Sequence, residues 1–149
     1  NTRLVGSEMC IRDSSYTGNN RTHMIRIPDP GRFELRLMDG SANPYLLQAG
    51  ILAAGLDGLK NKIDPGNPLH CNMYEDFAKY PDLPKLPDEL DQSLSQLKNN
   101  TSMNDAFGSD VISSYVKLRN TEIKEFKSKE SFDKAKAVTK WEKDNTLDC

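Results

Sequence analysis

The chain has 149 residues, which is enough for one ordinary domain with a sizeable core. Its 20 basic and 22 acidic residues leave a net charge of −2, which argues against a broadly basic surface for nucleic acid. No apolar run approaches the ~20 residues that a membrane span needs. We therefore expect neither a nucleic-acid nor a membrane partner. The three cysteines, Cys10, Cys71 and Cys149, lack metal-ligand spacing and indicate free thiols in the cytoplasm.

Residues 1–14 do not look like an evolved protein segment. The run from Leu4 to Ser14 is similar to the translation of an adapter used in transposon-based sequencing libraries. We therefore set 1–14 aside as a non-native tail and treat 15–149 as the native part. On this interpretation the native protein continues upstream, and the chain is its carboxy-terminal fragment.

Two strands are predicted at the start of the native part, over 23–27 and 32–38. Proline and glycine in the intervening segment 28–31 favour a tight reversal, so the two strands should form an antiparallel hairpin. Side chains of a strand alternate between its faces. The alternation predicts a buried face formed by Phe33, Leu35 and Leu37.

The opposite face of the same hairpin carries an unusual set of charges. Arg32, Glu34 and Arg36 share that face of the second strand, and Arg26 belongs to a polar face of the first. Several guanidinium groups around one carboxylate leave surplus positive charge. Such a surface favours an anionic ligand, and Glu34 could hold a metal ion that the ligand also contacts. The alternative is a surface hairpin whose ion pairs only compensate one another.

Helices are predicted over most of the remainder. One begins with Asn43 as N-cap and Pro44 at the first helical position and continues to about Ile63. The proline-rich segment 67–87 should be mostly irregular. Further helices are predicted over 88–98, 103–107, 109–127 and 131–143. The apolar stripe of the 109–127 helix comprises Val111, Ile112, Tyr115, Val116, Leu118, Ile123 and Phe126. The predicted fold class is α+β, with an antiparallel hairpin followed by a mostly helical carboxy-terminal region.

Three segments in and around the hairpin resemble the glutamine synthetase family. Residues 20–28 resemble its phosphate-site strand, 32–46 its metal-site strand with the following helix start, and 54–66 the end of that helix. The chain is most similar to the bacterial type III branch. The resemblance implies the carboxy-terminal part of the catalytic domain, in which helices pack behind a curved antiparallel sheet.

The resemblance also implies an activity. Glutamine synthetases use ATP and Mg²⁺ (or Mn²⁺) to join ammonia to the side-chain carboxylate of glutamate through a γ-glutamyl phosphate. By motif position, Arg21 resembles the arginine on the transferring phosphate, and Arg36 the arginine that holds glutamate. Arg26 resembles a contact of the nucleotide phosphates, and Arg32 a contact near the base and phosphates. Glu34 resembles a ligand of a divalent metal.

Alternatives to this activity stay open. Near relatives join glutamate to methylamine or polyamines, and a non-catalytic relative could keep the fold in a structural role. A small helical interaction module would explain the late helices but leaves the charged hairpin unexplained. The resemblance implies a ring-shaped homo-oligomer for the intact protein. Because much of the family's machinery is missing, the chain should not catalyse alone.

Three further residues could suggest function. His23 and His70 have no second metal ligand at strand or helix spacing, so we interpret both as structural. Tyr74 lies where some bacterial members carry a tyrosine that is nucleotidylated, although the residues after it differ from that pattern. Regulation at Tyr74 is therefore a hypothesis only.

Overall fold

The structure is a computed structural model that describes residues 14–38, 40, 42–87, 89–129 and 139–146. Over these residues it contains one small sheet of three strands and six α-helices, which confirms the predicted α+β class. The described residues form two compact units. The first unit holds 14–38 and 64–87, and the second holds the remainder. Among the described helices, none combines the length and apolar character that crossing a bilayer requires.

The sheet of the first unit contains β1 (Tyr16–Thr17), β2 (Ile25–Asp29) and β3 (Arg32–Leu35), in that spatial order. β1 runs parallel to β2, and β2 runs antiparallel to β3. The predicted hairpin is therefore present. Its first strand lies two residues later than the predicted 23–27, its second begins at residue 32 as predicted but ends three residues earlier, and β1 forms where the sequence indicated a loop.

The turn of the hairpin is shorter than predicted: it begins two residues later, at residue 30, and still ends at residue 31. Pro28 is part of β2, and the pairing register shifts between Arg26 and Asp29. A proline cannot donate to the ladder, which accounts for an irregularity at this point. Gly31 then adopts a φ of 80°, a backbone conformation that glycine reaches without steric cost.

The prediction that Phe33, Leu35 and Leu37 form a buried face of the second strand is wrong in part. Phe33 is 63% exposed and Leu37 is also exposed, whereas Leu35 is half-buried. β3 is an edge strand, and the described residues of this unit do not cover Phe33 with a second layer. The alternation itself holds, because Glu34 faces Arg26 of β2 directly.

The segment predicted to be irregular contains a short helical stretch. α2 (Met73–Asp76) is followed by a 3₁₀ turn (Phe77–Lys79). The side chain of Asn72 caps α2 by accepting a hydrogen bond from the backbone N–H of Tyr74 at 3.1 Å. Met73 is buried at the start of this helix. The backbone N–H of Leu69 donates to the carbonyl oxygen of Tyr16 at 3.0 Å, so this segment lies beside β1.

The second unit begins with α1 (Pro44–Asn61), which confirms the predicted helix. Asn43 caps it, because its side chain accepts hydrogen bonds from the N–H groups of Tyr45 and Leu46. The helix ends at Asn61, and the C-cap residue Lys62 has a φ of 51°, in the left-handed region typical of helix C-caps. None of the residues of α1 is fully buried.

The other helices of this unit are α3 (Leu90–Asn99), α4 (Thr101–Phe107), α5 (Ser109–Lys129) and α6 (Lys140–Thr146). The first three lie close to their predicted bounds. Residues 131–138 of the predicted last helix lie outside the described residues. α6 ends three residues beyond the predicted end at residue 143.

The core of this unit is formed by Leu94 of α3 with Ile112 and Val116 of α5. The two α5 residues are four positions apart and therefore lie on one helix face. Val111 and Leu118 are exposed, so the predicted stripe is too wide. They are seven residues apart and lie together on a flank that the described helices leave uncovered.

Candidate active site

The central feature of the charged face is a cross-strand ion pair. Arg26 of β2 lies directly opposite Glu34 of β3. Its Nη1 donates to both carboxylate oxygens, at 2.9 Å to Oε1 and 2.7 Å to Oε2. Opposite charges at facing positions stabilise such a pair, and both side chains are largely shielded from solvent. The hairpin therefore holds the carboxylate in one place.

Arg26 is fixed from its other side by Asn19. The Nε of the guanidinium donates to Asn19 Oδ1 at 2.8 Å, and Nη2 donates to the same oxygen. All three nitrogens of Arg26 are thus engaged. Sequence reasoning missed Asn19, although a short polar residue in the loop before an arginine-bearing strand is a signal for such a contact.

Two further arginines complete the cluster, as the alternation predicts. Arg32 Nη2 donates to Glu34 Oε1 at 3.0 Å, and the Arg32 side chain is 63% exposed. Arg36 Nη1 lies 3.7 Å from Glu34 Oε2, which is an ion-pair distance and not a hydrogen bond. The arginine cluster, defined as Arg26, Arg32, Arg36 and Glu34, carries three positive charges and one negative charge, a net charge of +2.

The surroundings of Glu34 favour its ionised form. The hydrogen bond from Arg26 lowers the pKa of Glu34 below its ordinary value of 4.5. Partial burial opposes this shift, while the charges of Arg26, Arg32 and Arg36 add to it. The site therefore keeps a carboxylate beside three guanidinium groups over the whole physiological pH range.

The arginine cluster offers a divalent metal one carboxylate, that of Glu34. Oε1 of Glu34 accepts from two arginines, whereas Oε2 accepts a hydrogen bond from Arg26 alone among the described residues and keeps capacity for a further partner. In the part of the chain that the structure describes, no group of three or more His, Cys, Asp or Glu side chains is placed to bind a metal. Glu34 fits Mg²⁺ as a single oxygen ligand, since this ion is commonly bound by one or two carboxylates, phosphates and water.

Arg21 is not part of the arginine cluster. It lies in the turn before β2 with its side chain exposed. Among the described residues no hydrogen bond or ion pair is found for it. The structure thus brings Arg26, Arg32, Arg36 and Glu34 together, and among the described residues it shows no hydrogen bond or ion pair that joins Arg21 to them.

The residues that flank Arg21 are tightly bonded. Asn20 Nδ2 donates to the carbonyl oxygen of Cys71 at 2.8 Å, and His23 Nε2 lies 3.0 Å from the same oxygen. The hydroxyl of Thr22 accepts from the backbone N–H of Met73 at 3.0 Å. Sequence reasoning missed these contacts, because they join segments about fifty residues apart. One indication of these contacts was present in the sequence, namely the run of polar residues on both sides of Arg21.

His23 has the surroundings of a structural residue, whereas the structural interpretation of His70, which is exposed, stays a prediction. His23 is fully buried and contacts polar atoms at both ring nitrogens, with Ser15 Oγ 2.6 Å from Nδ1. His70 Nδ1 lies 3.3 Å from Thr17 Oγ1. Tyr74 is half exposed on α2, and its regulation stays a prediction. Cys71 is a free thiol, as predicted, and its sulfur lies 3.4 Å from the sulfur of Met73.

Comparison with known proteins identifies the family. The family described as glutamine synthetase, catalytic domain, matches residues 2–143. This match includes most of the segment 1–14, whose adapter origin stays a prediction, and residues 1–13 lie outside the described residues.

Two curated relatives are similar to the chain. A glutamine synthetase of Rhizobium meliloti is 46% identical over 145 residues, which cover 97% of this chain and 32% of the relative. A glutamate–methylamine ligase of Methyloversatilis universalis is 38% identical over 126 residues, covering 83% of this chain and 28% of the relative. The chain thus spans about a third of the length of these relatives.

A solved structure has a similar fold. It is described as "GmaS/ADP complex-Conformation 1", and it is 40% identical with a TM-score of 0.75. The similarity covers 93% of this chain and 30% of that chain. Together with the family match over residues 2–143, these similarities establish that the chain belongs to the glutamine synthetase family.

Proposed function

We propose that the chain is part of a longer ATP-dependent ligase that forms an amide on the side-chain carboxylate of glutamate. The term "full-length protein" below means that longer protein. Family membership supports the ligase, and the match to only about a third of the length of the relatives supports a longer protein. Ammonia is the primary acceptor that we propose, with a γ-glutamyl phosphate as the activated species.

The observation that carries this proposal is the net charge of +2 on the arginine cluster. Hairpin ion pairs that only compensate one another would give a balance near zero. Phosphoryl transfer next to a carboxylate substrate requires neutralisation of several negative charges at once, and positioned guanidinium groups meet this demand. The surplus charge supports an anion-binding role for this face.

The proposed roles differ with the contacts of each arginine. Arg26 is engaged with Asn19 and Glu34, so its part in binding nucleotide phosphates begins with holding the carboxylate in place. Arg32 makes one hydrogen bond to Glu34 and is largely exposed, which suits a contact with the base and phosphates of ATP. Arg36 is proposed to hold glutamate, and Arg21 to stabilise the transferring phosphate.

Glu34 is proposed to bind Mg²⁺ or Mn²⁺ through Oε2, the oxygen that keeps capacity for a ligand. The bound metal would supply further positive charge to the phosphate oxygens. Three guanidinium groups around Glu34 oppose a cation by like-charge repulsion. We therefore expect metal and anionic ligand to bind together.

A second acceptor has a specific observation in its favour. A relative named glutamate–methylamine ligase is 38% identical to this chain, and the structure described as a GmaS/ADP complex is 40% identical. Methylamine, or a polyamine, is therefore the alternative acceptor. A structural, non-catalytic role is the remaining alternative, and it predicts no ATP turnover.

The test is product analysis with the full-length protein. It is incubated with ATP, Mg²⁺ and glutamate, and with ammonia, methylamine or putrescine in turn. We expect phosphate release with ammonia and glutamine as the product. γ-Glutamylmethylamide or a γ-glutamylpolyamine as the main product would replace ammonia by that amine, and absence of phosphate release with every amine would refute the ligase.

A matched pair of variants links the activity to the arginine cluster. Arg32→Gln and Lys98→Gln each remove one positive charge, but Lys98 lies on α3 in the other unit. We expect Arg32→Gln to raise the KM for ATP about tenfold or more, since a charge-assisted contact to phosphate is lost. Lys98→Gln should leave it unchanged.

Two further properties are proposed from the family alone. The full-length protein should form a ring-shaped homo-oligomer and act in the cytoplasm. Sedimentation equilibrium of the full-length protein tests the first property, and a monomer would contradict it.

A further inference from the structure

We propose that Asn20, Thr22 and His23 are positioning residues that fix the backbone of Arg21 by bonding to segment 71–73 of the same unit. The inference rests on the proposed function of Arg21 at the transferring phosphate. It assigns a task to the three polar neighbours of an arginine that has no hydrogen bond or ion pair of its own among the described residues.

We call this set of contacts, from Asn20, Thr22 and His23 to residues 71–73, the clamp. Its first part is a shared hydrogen-bond acceptor. The carbonyl oxygen of Cys71 accepts from Asn20 Nδ2 at 2.8 Å and lies 3.0 Å from His23 Nε2. A carbonyl can only accept, so Nε2 carries the hydrogen, and the other ring nitrogen, Nδ1, lies 2.6 Å from Ser15 Oγ. The residues on both sides of Arg21 are thereby bonded to one atom.

The second part runs through Thr22. Its hydroxyl accepts from the backbone N–H of Met73 at 3.0 Å and donates to Asn20 Oδ1 at 2.9 Å. The backbone N–H of Thr22 donates to the same Asn20 oxygen at 3.0 Å. These bonds close the turn around Arg21 and bind it to the first residue of α2.

The residues of the clamp are less exposed to solvent than Arg21. His23 has an exposed fraction of 0%, and Asn20 and Thr22 are half-buried, whereas Arg21 is exposed. The volume that the guanidinium of Arg21 can reach is set by the position and direction of its backbone together with its side-chain rotamers, so a displaced backbone displaces that volume. The clamp fixes that position without using any donor of Arg21.

The inference is tested in the full-length protein by Thr22→Val and Thr22→Ser, each alone and combined with Arg21→Ala. Valine keeps the shape of threonine and removes the hydroxyl, whereas serine keeps the hydroxyl. We expect Thr22→Val to lower kcat about 10- to 100-fold through misplacement of Arg21, while Thr22→Ser stays near wild type. In the Arg21→Ala background, Thr22→Val should cause no further loss, because the residue that it positions is already absent.

Other outcomes overturn the inference. Equal losses from Thr22→Val with and without Arg21 would show a structural role only, and an unchanged kcat would show no role. If Arg21→Ala itself keeps a wild-type kcat, the proposed function of Arg21 fails, and the clamp loses its purpose with it. Should Thr22→Val not fold, Asn20→Asp serves in the same cycle, since it keeps the Oδ1 acceptor and removes the donor to Cys71.

Discussion

Arg26 and Glu34 face each other across β2 and β3, and one nitrogen of the guanidinium donates to both oxygens of the carboxylate. The same guanidinium is bonded to Asn19. Because both partners are held by a strand pair, the carboxylate has a fixed position and a fixed charge. This relationship makes the charged face of the hairpin a defined site.

The pH below which the site loses Mg–ATP binding should depend on Arg26. Its hydrogen bond is the largest cause that lowers the pKa of Glu34 below 4.5, so Arg26→Gln should raise that pKa. Protonated Glu34 cannot bind the metal, and the acidic limb of Mg–ATP binding should therefore move to higher pH. Calorimetric titrations of the full-length protein between about pH 4 and pH 7 measure the shift.

The same shift has a consequence for stability. A folded-state pKa below the unfolded value contributes stability above pH 4.5 that is lost as the pH falls through the folded-state pKa.

Lys127→Gln is the matched control for Arg26→Gln in the binding titrations, since Lys127 lowers the pKa of Asp91 in the other unit. If the acidic limb of Mg–ATP binding moved equally in Arg26→Gln and Lys127→Gln, a specific role for Arg26 would be contradicted.

Glu34→Gln should separate metal binding from nucleotide binding. The substitution raises the net charge of the cluster from +2 to +3 by removing its one carboxylate. Mn²⁺ binding in the presence of ADP, measured by electron paramagnetic resonance, should weaken about tenfold or more. Metal-free ADP should bind no more weakly than in the wild type. Glu122→Gln, which removes the acid paired with Arg119 on α5, should change neither.

Leu94 should be essential for the helical unit. It is 4% exposed and packs with Ile112 and Val116, so Leu94→Ala should lower the free energy of unfolding by about 2–5 kcal/mol. Leu118→Ala removes the same atoms at a position that is 56% exposed and should cost less than about 1 kcal/mol. Denaturant unfolding of the full-length protein measures both, and equal losses would contradict the assigned core.

The start of α1 should depend on the side chain of Asn43. Asn43→Ala removes the acceptor for the N–H groups of Tyr45 and Leu46 and should cost about 1 kcal/mol. Asn43→Asp keeps an acceptor and places a negative charge at the helix N-terminus, so it should retain most of the stability. Denaturant unfolding would contradict the cap if both variants lost the same free energy.

Features with a local cause were predictable from the sequence. Asn43 followed by Pro44 marked the start of α1 because capping depends on adjacent residues. Arg32, Glu34 and Arg36 share a face because strand side chains alternate with a period of two. Most of the candidate site follows from this one periodicity, including the pairing of Glu34 with an arginine of the preceding strand.

Features that join distant segments required the tertiary structure. The exposure of Phe33 and the parallel pairing of Tyr16 with Ile25 depend on what lies beside each strand. The bonds from Asn20 and His23 to Cys71 span about fifty residues of chain. No sequence period encodes such a contact, because a hydrogen bond between remote segments forms only where packing brings its donor and acceptor together. The sequence by itself determined which residues carry the charge, and the fold decided how they are held.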